Sequence, residues 1–248
     1  MNIHGRPPYG FTLIELLIGL SIAAFLMTAI TQLVIAAGSS YQLQQNLGAL
    51  QENARFALHT MQREIEAAGY VKEPWFNNIN KTIDSNDAVS IKSDKLLIRR
   101  WSNRNCYDNL NPVLDAEGIS AFHLRESSFV INTGKNLAQT CRYGPDSGQL
   151  TTQINKLGLV ENTEALQALY AEDTDADGNA DRWVPAGHWL DESNIIAVQL
   201  AIVVASPSPV TQTSGGSIQV LDTVINSSSD GRLRKKFQSI FSIKGRRK

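Results

Sequence analysis

The sequence predicts an α+β chain, with one very long N-terminal helix ahead of a domain of antiparallel strands. Three observations predict it. No proline occurs from Phe11 to Glu73. That stretch opens with a continuous apolar run and passes into a narrow apolar stripe at helical spacing. After Tyr70, short β-favouring runs alternate with turn residues.

The run from Phe11 to Ala37 contains a single charge, Glu15. As a helix it extends about 40 Å, enough to cross a bilayer. A carboxylate costs roughly 2.5–3.5 kcal/mol at the centre of a membrane span and less toward its end, so Glu15 is expected to have a partner. Beyond Tyr41 the apolar positions Leu43, Leu47, Leu50, Ala54, Ala57 or Leu58, Met61, Ile65 and Ala68 step mostly by threes and fours, one stripe of an amphipathic helix. Gly69 is the expected stop, with Pro74 shortly after. Gly19, Gly38 and Gly48 each weaken the helix by about 1 kcal/mol relative to alanine and permit bending.

Strands are expected at Ala88–Ile91, Leu96–Trp101, Ile119–Leu124, Ser128–Ile131, Ile195–Ala205 and Arg232–Ile243, and Thr163–Ala171 is read as strand rather than helix. The nearly unbroken apolar run of Ile195–Ala205 predicts a central strand, ended by Ser206-Pro207-Ser208-Pro209; a Ser/Thr/Gly-rich loop runs on to Ser217. Antiparallel strands packed on the amphipathic half of the helix complete the α+β architecture.

Net charge is −1, but eight basic residues and no acid lie between Arg232 and Lys248, which leaves 15 basic against 24 acidic residues elsewhere. Phe237, Ile240, Phe241 and Ile243 interleave with those charges, so a packed final strand with a basic outer face is expected rather than a nucleic-acid tail. The two cysteines, Cys106 and Cys141, lack the spacing of a zinc site. Outside the cytoplasm they would form a disulfide, stabilising by roughly 3–4 kcal/mol in the chain-entropy model; two buried thiols are the alternative. No nucleophile elbow, P-loop or dinucleotide fingerprint occurs, and His4, His59, His123 and His188 are scattered, so no enzyme is expected.

Residues 1–10 hold Arg6, Pro7, Pro8 and Gly10 and no acid, and lysine and arginine are then absent until Arg55. That asymmetry keeps the N-terminus cytoplasmic and the remainder outside. Gly10-Phe11-Thr12-Leu13-Ile14-Glu15 followed by an apolar helix resembles the class III signal of type IV pilins and type II secretion pseudopilins. The resemblance implies that a prepilin peptidase cuts between Gly10 and Phe11 and methylates the new amine. It also implies that Glu15 pairs with the Phe11 amine of a neighbouring subunit during assembly. The phrases Gln51-Glu52-Asn53-Ala54-Arg55-Phe56-Ala57-Leu58, Arg63-Glu64-Ile65 and Ala68-Gly69-Tyr70 resemble the PilW-type minor pilins and fit the GspJ type less well; Leu169-Tyr170, Asp173–Gly178, Asp181–Val184 and Ile196–Ser206 are also similar to PilW. The resemblance is strong over 1–70 and 160–206 and weak between. It implies a type IV pilin fold divided into a leader (1–10), a transmembrane and assembly half-helix (11–37), an amphipathic half (38–69) and a periplasmic β-rich domain (70–248). The implied role is in type IV pilus assembly, in the priming or tip complex. The partners are then the prepilin peptidase, other minor pilins and the major pilin, with the chain in the inner membrane before it enters the pilus. A type II secretion pseudopilin and a pilin-exported adhesin are the rival readings.

Asp173, Asp175, Asp177, Gly178 and Asp181 occupy positions 1, 3, 5, 6 and 9 of a calcium loop, with Asn179 offering a carbonyl at position 7. Position 12 is Val184, so the bidentate acid of an EF-hand is missing. The choice is between a simpler calcium loop and a solvated hairpin turn.

Overall fold

The computed structural model describes residues 10, 12–70, 86–90 by their backbone, 93–210 and 215–245. They fall into two compact units, Met1–Gln45 and Asn46–Lys248. The helix α1 spans Leu13–Glu66 and contains Gly19, Gly38 and Gly48 without a break. In the first unit every described side chain from Thr12 to Gln45 is exposed.

In the second unit the expected stripe is buried from Leu50 onward: Leu50, Ala54, Ala57, Met61, Ile65 and Ala68 are each at most 1% exposed. Leu47 is half-buried and Leu43 is exposed. The helix stops where expected. Gly69 takes φ 72°, a conformation that glycine adopts without penalty. Its N–H donates to Arg99 O, and Trp101 N–H donates back to Tyr70 O. Pro74 lies outside the described residues.

The first sheet is antiparallel in the order β1 (Asn86–Ser90), β2 (Ser93–Ser102), β3 (His123–Ile131), β4 (Leu137–Gly144), β5 (Thr151–Val160). The second contains β6 (Thr163–Glu172), β7 (Arg182–Val184), β8 (Ile195–Pro209) and β11 (Arg232–Ser242) in the order β11-β8-β6-β7. Between β8 and β11, β9 (Ser217–Val220) and β10 (Thr223–Asn226) form a hairpin. Both sheets share one core with the α1 stripe, contributing Leu96, Ile98 and Phe129 from one side and Leu166, Tyr170, Val198 and Leu200 from the other. The opposite face of the second sheet buries Ala165, Ala201 and Val203 against Val220 and Ile225 of the hairpin. Burial on both faces is why β8 reads as a continuous apolar run. Side chains join the sheets: Ser93 Oγ donates to Leu166 O and accepts from Leu166 N, and Asp94 Oδ2 accepts from Ala168 N at 2.8 Å.

Several expected elements differ. Ile119–Leu124 and Ser128–Ile131 are not two strands; β3 runs from His123 to Ile131. Residues 113–121 instead fold back as a loop, in which Ile119 N donates to Asp115 Oδ1 and Ala121 N to Val113 O. β8 does not end at Ser206 but pairs as far as Pro209, opposite Arg232. Ser206 Oγ accepts the Leu233 N–H where the register shifts, in place of a backbone acceptor. The first strand is displaced from Ala88–Ile91 to Asn86–Ser90, and Ile91 lies outside the described residues. β4, β5, β7, β9 and β10 were not expected.

Arginines and acids fasten this frame. Arg100 and Arg125 stand directly opposite each other on β2 and β3, a repulsive like-charge pair if left alone. Glu64 of α1 answers both, at 3.3 Å and 2.8 Å, and is itself buried. On the other side Glu126 takes Arg99 at 2.7 Å and Arg142. Glu172, fully buried at the end of β6, accepts from Arg182 across the β7 pair and from the Leu190 and Asp191 amides at 2.8 and 2.9 Å.

Burial alone would raise the Glu172 carboxyl. The Asp191 amide, the Arg182 guanidinium and the Leu190 amide together outweigh it and hold the group below the usual glutamate range. A depressed folded pKa contributes stability above the unfolded value, and that stability is lost as pH falls through the folded one. At neutral pH Glu172→Gln is expected to cost on the order of 1–3 kcal/mol, because buried donors lose their acceptor. In thermal melts the gap between wild type and variant should hold from about pH 7 to about pH 5 and shrink below about pH 4. A gap that widens on acidification contradicts the assignment.

Candidate functional site

Two of the expected sites lie on separate parts of the chain. At the start of α1, Thr12 and Glu15 form a reciprocal capping box. Glu15 Oε2 accepts from Thr12 N and from Thr12 Oγ1, each at 3.0 Å, while Thr12 Oγ1 accepts from Glu15 N at 3.3 Å. The carboxylate thereby satisfies a terminal amide of its own helix and lies at the helix's positive end. Thr12 was not singled out from the sequence, although a Thr-x-x-Glu phrase before an apolar run is a legible cap signal. A Cβ at Gly10 would meet nothing within 4 Å, so no contact in the described chain requires glycine there. Phe11 lies outside the described residues, as do residues 1–9. From Leu13 to Ile35 the exposed side chains include leucines, isoleucines, Phe25 and Met27. The helix is long and apolar enough to cross a membrane.

The acidic segment is the loop of the β6–β7 hairpin. Asp181 N donates to Glu172 O and Asp173 N to Asn194 O, which closes its base. Carboxylate oxygens of Asp173, Asp175 and Asp177 lie within 4.8 Å of one another, and among the described residues these are the acidic or metal-ligating side chains that gather in a group of three. Asp173 is buried and its Oδ2 accepts the Gly178 N–H at 3.0 Å; Gly178 turns the chain at φ 92°. Of the four expected carboxylates, Asp181 stands apart from the group. Asp181 is taken by Thr174, whose N and Oγ1 both donate to its Oδ2 at 2.6 Å, and these bonds hold its carboxyl below the usual aspartate range. The Asn179 side chain bonds back to Asp177 at 3.0 Å. The chemistry of the remaining donors, three hard carboxylates, suits a divalent cation.

Cys106 and Cys141 form a disulfide that links the loop after β2 to β4. Among the described residues of the basic C-terminal end, Arg234 and Lys244 have acidic partners. Arg234 pairs with Glu164 at 2.6 Å and Asp230 at 2.7 Å, Arg232 bonds the Asn162 side chain, and Lys244 meets Glu66 at 3.0 Å. Lys235 and Lys236 remain exposed, with Lys235 5.7 Å from the Phe237 ring centre. Arg246, Arg247 and Lys248 lie outside the described residues. Lys244 N also donates to Glu66 O, and Gly245 passes so close to the helix end that a Cβ would meet Ala68 O at 2.4 Å, a contact only glycine permits. His59 lies on α1, His123 against Tyr143 and His188 in the loop after β7; they share no site.

Comparison with known proteins adds two sequence matches. Residues 7–31 match the prokaryotic N-terminal methylation motif. Residues 129–244 match the type IV pilus-assembly protein W family, PilW. That second match includes 129–160, where the resemblance read from the sequence was weak. No curated protein matches the chain. Among solved structures, a type IV-like pilin from Thermus thermophilus is 16% identical, covers 79% of this chain and 97% of its own, and superposes with a TM-score of 0.49. The chain thus joins a prokaryotic N-terminal methylation motif, at the head of a long apolar helix, to a PilW-type region over residues 129–244.

Proposed function

We propose that the chain is a PilW-type minor pilin that acts in pilus assembly as part of the complex that primes the filament or sits at its tip. The observation that carries the reading is Glu15, the single charge between Phe11 and Gln51, placed one turn into an otherwise apolar exposed helix. In the free subunit the carboxylate is occupied by its own Thr12 cap. In a filament, the Phe11 amine of a neighbouring subunit offers a full opposite charge, which in a low-dielectric setting is a stronger partner than a neutral hydroxyl. The leader with Arg6 stays cytoplasmic, the helix spans the inner membrane, and the β-rich domain lies in the periplasm until assembly. The disulfide supports an oxidising compartment for that domain. A domain of more than 150 residues, larger than a repeated shaft subunit needs, fits a rare position.

Glu15→Ala is expected to leave cleavage after Gly10 intact and to reduce surface pili at least tenfold by electron microscopy. Thr12→Ala, which removes the cap and keeps the carboxylate, should retain most of them. Equal loss in both would mean that capping, and not pairing between subunits, is the role of Glu15. Normal piliation in the Ala variant with protein secretion lost would favour the secretion pseudopilin.

We also infer that the Asp173, Asp175 and Asp177 carboxylates hold a calcium ion that stiffens the β6–β7 loop. Their convergence supports it, since clustered like charges repel unless a cation offsets them. Calcium is expected to raise the Tm of the full chain in detergent by several degrees, as ligand binding to the native state must. Asp175→Asn should abolish the rise. Absence of both a calorimetric signal and a Tm shift would overturn the inference.

A further inference from the structure

The two sheets treat their edges differently. β1 has five residues and a shifted register. β5 pairs with β4 through three register irregularities. β7 has three residues. Short, bulged edges of this kind resist pairing with other strands. β11 is long and, beyond one shift between Arg232 and Arg234, regular. From Arg234 to Ser242 it pairs with β8 over nine consecutive residues with no shift and no proline. Among the described residues no strand lies on its other side. Its Lys235 and Lys236 charge one end, but Phe237–Ser242 is uncharged, and Ile240 is 57% exposed.

The space beside this edge is also shaped. A groove lies between β11 and the α1 segment above it, lined by Arg55, Phe56, Leu58 and His59 on one side and Phe237 and Phe241 on the other. Phe56 is 53% exposed there, whereas Leu58 is partly covered by the core.

We propose that the outer edge of β11 accepts an extended strand from another protein subunit, which completes the sheet under α1. An extended backbone is the occupant that fits, because a helix or a loose apolar chain cannot satisfy a row of ladder N–H and C=O groups while filling the groove with every second side chain. An antiparallel guest would direct alternate apolar side chains at Phe56 and Phe237. Its C-terminal end would lie beside Lys235 and Lys236, so acidic residues belong there. The proposal rests on the sheet edge and stands apart from Glu15 and the membrane segment.

The probe is the peptide acetyl-Thr-Val-Thr-Val-Thr-Val-Glu-Glu-amide, mixed with the full chain in detergent and followed by fluorescence anisotropy and amide hydrogen exchange. Binding should slow exchange within Phe237–Ser242. N-methylation of one alternate set of peptide residues should weaken binding at least tenfold and methylation of the other set should leave it unchanged, because one set of amides faces β11. Phe56→Asp and the Lys235→Glu, Lys236→Glu pair should each weaken it severalfold. No binding, protection located elsewhere, or equal effects of the two methylation patterns would overturn the proposal. The last outcome identifies a merely apolar or ionic contact.

Discussion

Everything in the second unit depends on one apolar stripe of α1. Leu50, Ala54, Ala57, Met61, Ile65 and Ala68 form the seam into which both sheets pack, so a single helix face supplies the core to two distinct sheets. Truncating such a fully buried side chain typically costs about 2–5 kcal/mol, a large share of a domain's stability. The polar contacts follow from that seating. Glu64, one residue before Ile65, is carried into the sheet and resolves the Arg100–Arg125 opposition; Gly69 and Gly245 let the chain close over the helix end.

The same helix obeys a different constraint in the first unit. There its apolar side chains point outward on every side, a surface that water does not tolerate and that lipid or neighbouring helices do. Within it Glu15 is held by a local cap that neutralises no charge. An amine in the same medium would be a stronger partner than that cap, and this is the difference that the proposed pairing between subunits uses.

Much of this was legible. The 3–4 spacing of the stripe from Leu50 onward, the Gly69 stop and the apolar run of β8 were readable from the residue pattern, and the structure has each. The losses have physical causes. β4 is Leu-Ala-Gln-Thr-Cys-Arg-Tyr-Gly, buried on both faces yet rich in polar groups, because its arginine pairs with Glu126 and its cysteine with Cys106; neither alternation nor an apolar run marks it. β5 is an edge strand whose exposed Lys156 and Leu157 obey no facing rule. Ile119 was assigned to a strand on propensity, where Asp115 holds it in a loop. The charges of Arg232–Lys248 were visible but their partners were not: Glu164 lies 70 residues from Arg234 and meets it only through the β6-β8-β11 arrangement. Among the expected cation ligands, Asp181 fits the spacing but lies outside the group of three, with its Oδ2 held by Thr174, a contact that position counting ignores.

The account stands on the chain being cut after Gly10, methylated, and built into a filament through its N-terminal helix. Mass spectrometry of pili sheared from the cell surface tests this most directly. The account predicts a low-abundance peptide that begins at N-methylated Phe11. Finding the chain solely in the membrane fraction with Met1 and the leader intact would contradict it.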